Sequence, residues 1–139
     1  MSADAKAIEE DARRLREFPA FADFSVEDLK RLVSPAHHFS TTAPRPLIHQ
    51  ETPSDAAYIL LSGEAGVYVG NDRVAVVGPG EVIGESALLR GKLRNATVTT
   101  VGKAEVLRIE RQDLSRLLDE IPALKATMDA TAAKHTPSE

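Results

Sequence analysis

No cysteine occurs among the 139 residues, so disulfides, thiolate metal sites and cysteine nucleophiles are all impossible. An excess of basic residues is also missing. Lys+Arg 17 against Asp+Glu 21 gives a formal charge of −4, which removes the general reason to expect a nucleic-acid partner, because that binding draws most of its strength from clustered basic side chains. No apolar run approaches membrane-spanning length. The N-terminal stretch MSADAKAIEEDARRLREF is charged throughout and lacks the apolar centre of a signal peptide. No membrane partner is expected, and cytoplasmic residence is the default expectation. Neither an internal repeat nor a long low-complexity linker is visible. What remains is ordinary globular material, 42% hydrophobic and 27% charged, long enough to bury one core with little room for a second. One soluble domain spanning 1–139 is expected.

Helical spacing of Ile8, Ala12 and Leu15 predicts an amphipathic helix from about Asp4 to Arg16. Ser25 is placed to cap a second short helix whose Leu29, Leu32 and Val33 face inward. From residue 36 to 110 the pattern becomes short and β-like, punctuated by proline and glycine. Strands are expected near Ala36–Ser40, Pro46–His49, Ala57–Leu61, Glu64–Val69, Val74–Val77, Val82–Ile83, Asn95–Val101 and Ala104–Ile109, with hairpins at Ser62-Gly63 and Gly70-Asn71-Asp72-Arg73. Many short strands separated by turns imply a jelly-roll or barrel. Gln112 to Leu118 returns to helical spacing, and Pro122 opens a last helix carrying Leu124 and Met128 on the face of Ile121. The expected fold is therefore mainly β with flanking helices: N-terminal helices over 1–35, an eight-stranded antiparallel roll over 36–110 and C-terminal helices over 111–135.

The most informative stretch is GEVIGESALLRGKLRNATV, from Gly80 to Val98. Gly84 lets the backbone approach a ligand closely, and Glu85-Ser86-Ala87-Leu88-Leu89 has the makings of a short helix whose free N–H groups point at negative charge. Arg94 supplies a planar fork of donors suited to two phosphate oxygens. Ionised Glu85 is an acceptor, so its useful partner is a hydroxyl on the same ligand, such as that of a ribose. A small phosphorylated ligand suits this set.

The ordered set Gly84, Glu85, Ser86, Ala87, Leu88, Leu89, Arg94, Ala96 and Thr97 resembles the phosphate-binding cassette of cyclic nucleotide-binding domains. The resemblance covers roughly residues 18 to 134. It implies that Glu85 takes the ribose 2′-hydroxyl, that Arg94 takes an exocyclic phosphate oxygen, and that backbone N–H groups near Ala87 and Asn95 complete the cradle. Val82 and Val98 would flank ribose and base, and Leu124 and Met128 are candidates for an apolar lid. The alternative for those two is ordinary packing of the last helix against the barrel. Three departures from the family pattern stand out: Leu93 replaces the usual proline before the arginine, Asn95 replaces a small or hydroxyl residue after it, and the turns at residues 42–46 and 49–51 lack their common glycines. The implied ligand is cyclic AMP, with cyclic GMP open through the Asn95 amide.

Competing chemistries find less support. Glu85 and Arg94 alone would make an ordinary salt bridge across a turn. His37 and His38 are adjacent on a predicted strand and point to opposite faces, while His49 and His135 are isolated, so no metal site is expected. GESAL is loosely serine-hydrolase-like, but Leu88 stands where that motif needs glycine. No enzyme activity is expected. Residues beyond 110 are too few for a DNA-reading helix-turn-helix. The expected role is a sensor acting on an effector protein in trans, the alternative being a ligand-independent interaction scaffold. Oligomeric state stays open.

Overall fold

The computed structural model describes residues 5–51, 55–84 and 96–135, with the side chains of the last helix described as far as Met128. Helix α1 (Ala5–Arg16) buries Ala12 and Leu15 and packs Ile8 at the margin of the same layer. A 3-10 turn (Pro19–Phe21) leads to α2 (Val26–Val33). The Ser25 hydroxyl accepts from the Asp28 N–H at 3.1 Å, a cap worth about 1 kcal/mol. Leu29, Leu32 and Val33 are all buried.

Eight strands follow among the described residues: β1 (His37–Thr41), β2 (Pro46–Ile48), β3 (Ala56–Ser62), β4 (Ala65–Val69), β5 (Asp72–Val77), β6 (Val82–Ile83), β7 (Thr97–Thr100) and β8 (Ala104–Glu110). They form two antiparallel four-stranded sheets, β1-β8-β3-β6 and β2-β7-β4-β5. Pro46 sits on the edge strand β2, where its missing N–H costs no ladder bond, and the register slips between Pro46 and Ile48. Helices α3 (Arg111–Glu120) and α4 (Pro122–His135) close the described chain.

The expected hairpin at Ser62-Gly63 does not form. Strands β3 and β4 belong to different sheets, so this turn is a corner that carries the chain from one layer to the other. Gly63 takes φ 84, and a Cβ there would lie 2.5 Å from the Lys103 carbonyl oxygen, so the corner admits glycine on two grounds. The second hairpin does form, and more tightly than expected. Val69 pairs with Asp72, which leaves Gly70-Asn71 as a two-residue loop with Gly70 at φ 63.

Apolar side chains divide into two layers because β3 is buried on both faces. Ala57, Ile59 and Leu61 face the helices, where they meet Leu15, Phe21, Leu29, Leu32, Leu114, Leu117 and Ile121. Ala56, Tyr58 and Leu60 face the other way, into the roll interior with Ile48, Val67, Val77, Val98 and Val106. Each fully buried Leu, Ile or Phe contributes about 1.5–3 kcal/mol of transfer free energy. The helices therefore form a lid over one sheet, and the interior lies between the two sheets.

Candidate functional site

The short strand β6 splits its two residues between the layers: Val82 enters the helical core and Ile83 the roll interior, where it pairs with Tyr58. The turn before it is firmly held. The Gly80 N–H donates to the Leu60 carbonyl at 2.8 Å, and the Glu81 carboxylate accepts from the Gly78 N–H at 2.9 Å. Phe18 packs against Gly80, where a Cβ would meet the Phe18 ring at 2.8 Å. Gly84 follows at φ 83, a left-handed conformation that glycine adopts without strain.

On the other side of residues 85–95, Ala96 and Val98 are buried in the interior. Between them Thr97 points outward, and its hydroxyl accepts from the Gln50 N–H at 2.9 Å. The Gln50 side-chain oxygen in turn accepts from the Gly70 N–H at 2.9 Å. Gln50 thus ties the start of β7 to the tip of the β4-β5 hairpin.

Of the residues expected to bind ligand, Glu85, Ser86, Ala87, Arg94 and Asn95 lie outside the described residues. Ala96 and Val98 are buried in the roll interior, and Gly84 directly follows the interior-facing Ile83. Val82, Leu124 and Met128 do not join Ala96 and Val98. All three belong to the helix-facing core, with Leu124 at 0% and Met128 at 1% exposure among the residues of α1, α2 and α3. In the described arrangement, Leu124 and Met128 hold the last helix to the body of the domain and do not line the interior. The Thr127 hydroxyl adds a bond to the Ala20 carbonyl at 3.2 Å.

Two polar groupings went unnoticed in the sequence. Arg108 faces the interior beside Tyr58, its partner across the β3-β8 ladder, and pairs with Glu110 and, at 3.3 Å, with Asp55. Burial works against the Arg108 cation, but hydrogen bonds to Tyr58 and Glu110 and the Glu110 charge outweigh it and raise its pKa. Ile83, Tyr58 and Arg108 therefore form one row across the sheet, next to Gly84. The only sequence signal was an arginine among the alternating apolar residues of AEVLRIE. On the opposite face of that sheet, His38 Nδ1 lies 3.0 Å from Asp11 and its Nε2 3.5 Å from Glu105, which also receives Arg14. Among the described residues, no three His, Cys, Asp or Glu side chains are grouped to hold a metal ion. No described helix is long and apolar enough to cross a membrane.

A family model for the cyclic nucleotide-binding domain matches residues 42–121, more than half of the chain. The chain belongs to the cyclic nucleotide-binding domain family. The two-sheet roll with flanking helices that this domain forms is also found in PKAR CBD2 solved with bound Sp-2Cl-cAMPS, with a TM-score of 0.82, 21% identity, and 96% of this chain and 90% of that one covered. At that identity the likeness is one of fold. The regulatory domain of Toxoplasma gondii PKA, co-crystallised with cAMP, is 28% identical at a TM-score of 0.69, covering 84% of this domain's chain and 46% of that one. A sequence relative, an uncharacterized NTE family protein of Mycobacterium tuberculosis, is 31% identical over 120 residues, 85% of this chain and 21% of that protein. The chain spans about a fifth of that relative's length.

Proposed function

We propose that this domain is a cyclic AMP sensor. Glu85 accepts from the ribose 2′-hydroxyl, Arg94 clasps an exocyclic oxygen of the cyclic phosphate, and backbone N–H groups near Ala87 and Asn95 complete the cradle. The observation that carries this reading is the position of the cassette's two ends. Gly84, at φ 83, leaves one sheet beside interior-facing Ile83, and Ala96 enters the other sheet inside the same interior. A ligand gripped by residues 85–95 then meets the aliphatic interior at Val98 on one side and the Tyr58–Arg108 row on the other. The cAMP-bound Toxoplasma gondii neighbour supports the choice of ligand. Occupancy acts by population shift: the nucleotide favours the arrangement it binds better, and an effector protein in trans reads the change. The domain's contribution is binding, without catalysis, in the cytoplasm.

Isothermal titration of the purified chain with cyclic AMP and cyclic GMP tests this. Saturable binding of cyclic AMP, with cyclic GMP weaker, is the expected result. Absence of heat with either nucleotide would overturn the sensor reading in favour of a scaffold.

A further inference from the structure

Among the described residues four large apolar side chains are exposed, and three of them, Val74 at 48%, Val76 at 41% and Val101 at 53%, belong to the outer face of the β2-β7-β4-β5 sheet. Register puts them there. Ala65, Val67, Val77 and Val98 face the interior, so alternation sends Gly66, Val76, Thr99 and Val101 outward. The register shift opposite Val67 and Tyr68 brings Val74 and Arg73 to the same outer side. Tyr68 does not stand up from this surface. Its ring lies over Gly66, where a Cβ would meet Cε1 at 2.9 Å, and the result is a flat apolar floor. Two exposed charges of opposite sign bound it, Glu64 at the start of β4 and Arg73 beside Tyr68 at the far end.

We propose that this face docks a second copy of the same chain, sheet against sheet, about a two-fold axis lying between the sheets and across the strands. A two-fold contact requires one patch to be complementary to itself. Such an axis reverses strand direction, so the Arg73 end of one copy lies over the Glu64 end of the other. Four residues of strand separate the two ends, about 13 Å, which leaves the valines and the Tyr68–Gly66 floor between two reciprocal Arg73–Glu64 pairs. Exposed valines and rim ion pairs each contribute little, so a dimer of about micromolar strength is expected. The surface lies outside the proposed nucleotide site, and its test is independent of ligand.

Sedimentation velocity of the purified chain from about 5 μM to about 500 μM brackets that range. A concentration-dependent monomer–dimer equilibrium is expected. Val76→Glu should weaken it at least about tenfold by placing charge on the apolar floor. Arg73→Glu alone and Glu64→Arg alone should each weaken it, and the two together should restore it, with all variants melting like the parent because these side chains are exposed. A monomer at every concentration would overturn the proposal, as would a dimer indifferent to Val76→Glu. Weakening by Val76→Glu without rescue by the charge swap would overturn the two-fold geometry.

Discussion

Arg14 on α1 donates to Glu105 on β8 at 2.5 Å, joining residues 91 apart in sequence. The Ser62 hydroxyl donates to the same oxygen at 3.3 Å, and the other carboxylate oxygen lies 3.5 Å from His38 Nε2, whose ring bonds Asp11 of α1 through Nδ1. The N-terminal helix is therefore held to the closing strand by polar contacts at the margin of its apolar face. The Arg14 hydrogen bond holds the Glu105 carboxyl below its ordinary pKa, although burial pushes the other way, and the charges of Arg14 and His38 add to the lowering.

A carboxylate with a depressed folded pKa contributes stability that is present above its unfolded value and lost as pH falls through the folded one. Glu105→Gln should therefore lower the unfolding free energy at pH 7 by about 0.5–1 kcal/mol, a small effect because Arg14 and Glu105 are 32% and 33% exposed. Urea unfolding of parent and variant should show this gap narrowing as pH drops below about 4. A gap of constant size down to about pH 3 would remove the Arg14–Glu105 pair as its source.

Loss of the phosphate partner should be costly at the proposed site. Arg94→Ala should weaken cyclic AMP binding by about 2–4 kcal/mol, and Arg94→Lys should recover only part of it, since charge returns without the fork. Glu85→Ala should weaken cyclic AMP while changing the affinity of a 2′-deoxy analogue little. Calorimetry on the two ligands decides this, and equal losses would take Glu85 off the ribose.

Burial of Leu124 and Met128 in the helical core gives a stability prediction in place of a lid. Leu124→Ala should destabilise the domain by about 2–5 kcal/mol through lost transfer energy and a residual cavity. Thermal melts measure it. A loss of nucleotide affinity with unchanged melting would instead return Leu124 to the ligand.

Glu51 is the one described non-glycine residue at positive φ, at 67. It lies in the turn where the sequence lacks a glycine common in the family. A left-handed conformation costs a side-chain-bearing residue about 1–2 kcal/mol, while glycine's greater unfolded freedom costs about 0.5–1 kcal/mol. Glu51→Gly should accordingly stabilise the domain by about 0.5 kcal/mol, read from denaturant midpoints. Destabilisation would show that the Glu51 side chain offsets its own strain.

Strand and helix positions were legible because they depend on short-range periodicity and caps. Each of the eight expected strands lies within two residues of its observed bounds, Ser25 caps α2 and Pro122 opens α4. The chemistry proposed for the site rests on sequence for a similar reason, since Gly84 through Thr97 is a contiguous run whose residue types state what they can bind, and residues 85–95 lie outside the described structure. Sheet membership was not. Ser62-Gly63 looks the same as a hairpin or as a corner, and only the pairing of β3 with β8 and of β4 with β7 decides between them. The same holds for Val82, Leu124 and Met128, which are apolar whether they face a ligand or a core, and for Arg108, Arg14 and Glu105, whose partners come from distant strands and helices. A window of sequence fixes which residues must leave water. Which surface receives them is settled only when the two sheets and the described helices are packed so that every buried face is covered at once.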